Sequence, residues 1–334
     1  MIEVRRSTVW EDVCAKLGQK SFSPNNRFLV KFVNKEGESE EAVDLNGPKR
    51  ELLRLAVKAA NENSNIFFGP PGCRSLFANT TARKRGLYRF VGMLLAWSLA
   101  HGGPGGKFLS PTLYDSLAYG PCEKPPRLED VADPDLKEKI IKIYNSKSQE
   151  EFENNLEDEE IKWILYAQGL AILRVFEKKD EIVGIILRHV LVDSTRSHFE
   201  EFKKGLETLG VLKAIQANPE QFRKEFTHQN VDAFDAKRMQ ALFEINYFER
   251  GSNERHDGDA KATLGEVLSF VTGADVPPPL GFGCSSFITF TDRTLPTADT
   301  CTPVLHLPTV HRSYDKFKEI MDFSILNSPY FGHP

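Results

Sequence analysis

The chain lacks a basic excess, a metal-type cysteine pair and a long apolar run. Its 334 residues carry 43 Lys and Arg against 47 Asp and Glu, a formal net charge of -4. A nucleic-acid surface usually needs a basic excess, so nucleic acid is not an expected partner. Only five cysteines occur, Cys14, Cys73, Cys122, Cys284 and Cys301, widely spaced and with no CxxC. An odd, scattered set excludes a disulfide framework or a zinc knuckle and reads as free thiols in a reducing compartment. No metal or other cofactor is expected. The opening Met1-Ile2-Glu3-Val4-Arg5-Arg6 has no signal-peptide apolar stretch, and the most apolar segment, residues 90–100, is too short to span a bilayer. The expected location is cytoplasmic or nuclear, away from membranes.

What is present is ordinary for a globular protein, at a length that suggests two lobes instead of one core. Residues 27–34 (RFLVKFVN) alternate like a strand. Pro48 to Asn61 reads as an amphipathic helix with proline suited to its first turn. Residues 88–101 (YRFVGMLLAWSLAH) are apolar nearly all round, as in a buried helix stopped by Gly102 and Gly103. Further helices are expected from Pro134 to Asn145, after a Ser148–Glu151 capping box, from Ile161 to Phe176, from Ser194 to Leu209 and from Asn218 to Phe226. Residues 226–231 (FTHQNV) are polar and unpatterned, a candidate hinge. Beyond them come helices near 232–248 and 260–272, strands at 286–291 and 304–307, and a helix at 313–326. Runs of helix with scattered strands imply an α+β class, not alternating βαβ units.

The segment with the most chemistry is Leu295-Pro296-Thr297-Ala298-Asp299-Thr300-Cys301, followed by Val304-Leu305-His306-Leu307-Pro308. Prolines bracket a small-residue loop and a short strand, leaving a thiol with little bulk around it. Exposure of that kind suits a nucleophile. A buried structural cysteine is the competing reading, since free cysteine is among the most buried residue types. His306 and His311 suggest a Cys–His pair, but His306 alternates with two leucines and is expected at the surface. Cys284 lacks the flanks of a papain-like nucleophile and is expected in the core. The glycine run His101 to Lys107 resembles a phosphate loop only superficially. It follows a helix, and Phe108 stands where Ser or Thr is needed. The acidic run 150–160 reads either as a solvated face or as a contact for a basic partner.

The cysteine segment resembles the active-site signature of HECT-type ubiquitin ligases. The likeness continues in Gly273-Ala274-Asp275, Val276-Pro277 and Gly281-Phe282, and in Phe331, fourth from the C-terminus. At the other end Val4-Arg5-Arg6, Val30-Lys31-Phe32, Val43-Asp44, Gly47 to Glu51 and Phe108 to Pro111 are similar to the family's opening segments. Vertebrate mitotic-phase members are the expected neighbours. The resemblance implies a bilobal fold: a large, mainly helical N-lobe at 1–225, a hinge at 226–231 and a smaller α/β C-lobe at 232–334. It implies a docking subdomain for a ubiquitin-conjugating enzyme at 127–185, although that stretch matches poorly. It also implies that Cys301 carries ubiquitin as a thioester before transfer to a substrate lysine, with Asp299, Thr300 and Phe331 as further site residues. Ubiquitin, a conjugating enzyme and a substrate protein are then the partners. Substrate choice is expected to depend on regions outside this chain.

Two departures bear on mechanism. Asp299 stands where many members have histidine, and Thr302 where a large residue is common. A carboxylate beside a thiol opposes thiolate formation, so Asp299 suits the second step better, as base for the attacking lysine. Its alternative is a backbone cap. A catalytically silent binding module and a cysteine hydrolase remain as readings of another class.

Overall fold

The computed structural model describes residues 1–34, 47–121, 123–169, 175–228, 236–245, 261–278 and 281–327. In chain order the helices and strands begin with β1 (Ile2–Val4), α1 (Val9–Leu17), β2 (Val30–Phe32), α2 (Gly47–Asn63), β3 (Phe67–Phe68) and β4 (Ser75–Leu76). Then follow α3 (Thr80–Lys84), α4 (Leu87–Ala100), α5 (Pro111–Ala118), α6 (Pro134–Asn145), α7 (Gln149–Leu156) and α8 (Glu159–Ala167). Next are α9 (Lys179–Leu191), α10 (Arg196–Leu206), α11 (Val211–Ala217), α12 (Pro219–Phe226), α13 (Ala236–Leu242) and β5 (Phe243–Ile245). The chain ends with α14 (Leu264–Thr272), β6 (Ser286–Thr291), β7 (Thr297–Asp299), β8 (Val304–Pro308) and α15 (Tyr314–Asn327). The class is α+β. No described helix is long and apolar enough to cross a membrane.

Contacts divide the chain into two units. The first joins Met1–Ala59 and Ser98–Pro104 with Asn230–Pro334. Here β1 pairs with β2 in parallel. A four-stranded sheet runs in the order β5-β6-β8-β7, parallel except for the β7–β8 pair. Its core is Phe243, Leu268, Val271 and Leu305, with Leu242, Phe282 and Ile288 packed at the margin. Helix α14 begins with a full capping box, in which Thr263 Oγ1 accepts from the Glu266 N–H while Glu266 accepts from the Thr263 N–H. Both groups would otherwise be orphan donors at a helix start.

The second unit is Ala60–Trp97 with Gly105–Gln229. Within it α4 is buried nearly all round, with Tyr88, Val91, Leu94, Leu95 and Trp97 fully enclosed, as its apolar sequence predicts. A separate core is made by α6 to α9, around Ile140, Phe152, Leu156, Ile161, Ile164 and Ile186.

Several expectations need correction. The helix expected over 161–176 ends at Ala167, because Gly169 takes a left-handed φ of +71°. The helix expected over 194–209 closes at Leu206, and Leu209 has a positive φ of 56°. The helix expected near 232–248 gives way at Phe243 to β5, which gains β6 as a partner; residues 232–235 and 246–248 lie outside the described residues. The Ser148 box is half formed: Ser148 Oγ caps the Glu151 N–H, but Glu151 reaches the Lys147 N–H instead. The proposed hinge is not unpacked at its start. Phe226 is fully buried, its carbonyl accepts from the Leu109 N–H, and Thr227 is buried too. His228 is exposed, and residues 229–231 lie outside the described residues.

Candidate active site

The proline-bracketed segment is a β-hairpin, not a loop. Thr297, Ala298 and Asp299 form β7 and pair antiparallel with His306, Leu305 and Val304. Residues 300–303 make the turn, and Cys301 stands in it, half-buried. The thiol is less open than the small residues around it suggest. The reason is the strand pairing, which folds β7 onto β8 and turns Leu305 into the core.

Both ends of the turn are tied to neighbours. The Pro303 carbonyl accepts from the Phe287 N–H of β6 at 2.8 Å. The Thr300 carbonyl accepts from the Arg50 guanidinium of α2. Arg50 is buried, and its Nε also donates to the Thr272 carbonyl at the end of α14, at 2.7 Å. Gly47, the first residue of α2, lies so close to Thr300 that a Cβ there would fall 2.1 Å from Thr300 Oγ1. Neither Arg50 nor Gly47 emerged from residue chemistry alone. The only signal was their place in the Gly47 to Glu51 segment.

Asp299 is exposed, and its Oδ1 accepts weakly from the Cys301 N–H at 3.4 Å. That geometry serves a turn cap, and the bond is long enough to exchange. His306 is half-buried, with Nδ1 2.6 Å from Thr289 Oγ1 on β6; His311 Nε2 sits 2.7 Å from the Thr294 carbonyl. These bonds anchor both rings to the sheet and its rim. Thr300 is brought beside Cys301; Phe331 and Cys122 lie outside the described residues.

The other thiols differ in setting. Cys284, expected in the core, is exposed, with its Sγ toward the Phe282 carbonyl at 3.6 Å. It precedes β6 and adds nothing to the sheet's inner face. Burial pushes the Cys73 thiol up to about 11, helped by Asp130, whose Oδ1 lies 3.6 Å from its Sγ. A thiol so held stays protonated and is a poor nucleophile.

The model of the HECT-domain (ubiquitin-transferase) family matches residues 48–333, a span that holds the tied turn and Cys301. The chain belongs to the HECT family. It is 30% identical over 350 residues to the human G2/M phase-specific E3 ubiquitin-protein ligase, covering 99% of this chain and 48% of that protein. The Macaca fascicularis protein of the same name is 31% identical over 350 residues, with the same coverage, and the Gallus gallus one 29% over 336 residues. This HECT chain thus spans about half the length of the curated relatives it matches.

On the α6–α9 subdomain of the HECT chain, Trp163 and Tyr166 are 65% and 67% exposed, while Ile164 between them is buried. Ile164 belongs to the core beneath and offers nothing to a partner. Spaced three apart on α8, Trp163 and Tyr166 are neighbours on one helix surface. The acidic run closes on nearby lysines, with Asp158 and Glu160 both on Lys139 and Glu157 on Lys162.

Proposed function

We propose that this chain is the catalytic domain of a ubiquitin ligase, with Cys301 as the residue that carries ubiquitin. The Cys301 sulfur attacks the thioester carbonyl of ubiquitin held by a conjugating enzyme. A new C–S bond forms, the old one breaks, and the enzyme's thiolate leaves. One thioester replaces another, so the step is near thermoneutral. A substrate lysine then attacks Cys301's thioester, an amide forms, and the sulfur leaves and regains a proton. Asp299 is the proposed base for that lysine proton. The observation that carries the reading is the tied hairpin turn presenting Cys301 within a chain of this family. The cytoplasm or nucleus is its proposed place of work.

Incubation with charged conjugating enzymes tests it against the alternatives. A ligase gives a reductant-sensitive ubiquitin adduct. A silent binding module gives none, and a hydrolase releases free ubiquitin from isopeptide-linked chains without any donor.

We place conjugating-enzyme docking within residues 127–185, with Trp163 and Tyr166 as its anchor. Two large exposed aromatic rings on one helix face are the residue types that dominate protein interfaces. Trp163→Ala should raise the charged-enzyme concentration for half-maximal loading roughly tenfold, the scale of one anchor residue. Since the ring is mostly exposed, the melting temperature should hold. Loading at the wild-type concentration dependence removes Trp163 from the docking surface.

We assign the two reacting poses to lobes at 1–225 and 232–334 with a hinge between them, and we assign the arrangement in which Arg50 holds the Thr300 carbonyl to the loading pose. Phe331 is assigned to the second step by the family resemblance. Orienting the reacting groups is worth several kcal/mol in favourable cases. Phe331→Ala should therefore load Cys301 normally but discharge to lysine about tenfold or more slowly. Equal losses in both steps, with a lower melting temperature, would assign the ring to packing instead.

A further inference from the structure

We propose that Arg50 is a positioning residue for Cys301, holding the turn that carries the thiol; this rests on the reading of Cys301 as the ubiquitin carrier. Arg50 lies on the first turn of α2, 250 residues from the turn it contacts. Its guanidinium bridges two backbone carbonyls, Thr300 next to the cysteine and Thr272 at the end of α14. The Thr272 carbonyl is one of those a helix C-terminus leaves without an internal partner, where positive charge is also favoured by the helix dipole.

The Thr300 bond does more than fill an acceptor. The peptide between Thr300 and Cys301 is planar and trans, so fixing the carbonyl direction fixes the Cys301 N–H in the opposite direction. That N–H makes its long bond to Asp299 Oδ1. With Phe287 holding Pro303 at the far end, the four-residue turn is fastened on both sides of the thiol. The Phe282 ring, 5.5 Å from the guanidinium carbon, covers the cation. Gly47 closes the arrangement by leaving room only for Thr300 at the helix start.

A planar fork that reaches two carbonyls at fixed separation is something lysine cannot copy, because an ammonium is a point donor. Arg50→Lys should keep one bond and lose the bridge, and Arg50→Met should lose both. The test is single-turnover loading of Cys301 from a charged conjugating enzyme, over a range of enzyme concentrations. Rates are corrected for the fraction of protein labelled by a ubiquitin with an electrophilic C-terminus.

The maximum rate is expected to fall about tenfold in Arg50→Lys and about a hundredfold in Arg50→Met, the range open to lost orientation. The half-saturating concentration should stay within about twofold, since docking contacts lie elsewhere. A structural tie alone would lower the labelled fraction and the melting temperature without this graded split. Wild-type maximum rates in both variants, or a loss confined to half-saturation, overturn the proposal.

Peptide-resolved amide exchange of residues 297–303 provides a readout that needs no ubiquitin. It should quicken by about tenfold in Arg50→Met, as expected when a turn loses a tie. Unchanged exchange overturns the proposal whether or not the wild type loads ubiquitin, and a wild type that fails to load overturns only the reading of Cys301.

Discussion

Cys301→Ala should abolish the ubiquitin adduct and all transfer to lysine while melting within about 3 °C of the wild type, since a half-buried turn position offers little to lose. The side chain stands outside the core formed by Phe243, Leu268, Val271 and Leu305. Removing one sulfur therefore opens no core cavity. Both backbone ties, at Thr300 and Pro303, are made by main-chain carbonyls and survive the substitution. The chemical loss is total, because no covalent step is possible without the sulfur. Two of the other thiols are poor substitutes. Cys73 is held as a thiol by burial and Asp130, and Cys284 is exposed but stands before β6, outside the tied turn. The measurement is a non-reducing gel of the reaction with charged conjugating enzyme, repeated with reductant, beside a thermal melt. An adduct of wild-type yield in Cys301→Ala would move the carrier to another residue and end the proposal. A missing adduct together with a collapsed melt would instead mean that the thiol had been structural.

Much of this geometry is legible in local sequence because local physics decides it. Helix α2 has its proline in the first turn and its apolar face buried at Leu52, Leu53, Ala56 and Ala60. Strands β6 and β8 fall where residues 286–291 and 304–307 predict them. What escaped was set by partners distant in sequence. Thr297, Ala298 and Asp299 are not a strong strand sequence, and they become β7 only because β8 offers an edge to pair with. Phe243 to Ile245 leave helix for strand because β6 lies beside them. Cys284 is an apolar-seeming residue whose burial no local pattern could decide, and it proves exposed. The nucleophile itself was found by its motif, but Arg50 was not. A helix-start arginine beside a glutamate looks like an ordinary surface charge until the fold brings Thr272 and Thr300 to it.

Gly273→Ala should cost about 3 kcal/mol and lower the melting temperature by about 5–10 °C, one of the largest single-residue effects outside the core. Two independent constraints meet at this residue. It ends α14 with a left-handed φ of +78°, its N–H donating to the Ser269 carbonyl at 2.8 Å. A side chain in that region costs roughly 1–2 kcal/mol. Second, a Cβ would lie 2.7 Å from the Gly47 carbonyl oxygen, a backbone atom that cannot swing aside as a side chain can. Relief requires moving α14 or the first turn of α2, and Thr300 already rests against Gly47. The strain should therefore reach the turn, so Gly273→Ala protein that remains folded should also load Cys301 more slowly. Gly273→Asn separates the two constraints, since asparagine tolerates the left-handed region better than alanine does but brings the same Cβ. If the contact with Gly47 dominates, the two variants should lose similar stability and similar loading rate. A much milder Gly273→Asn would assign the cost to backbone strain. A Gly273→Ala protein melting with the wild type and loading at its rate would show that neither constraint holds at this junction.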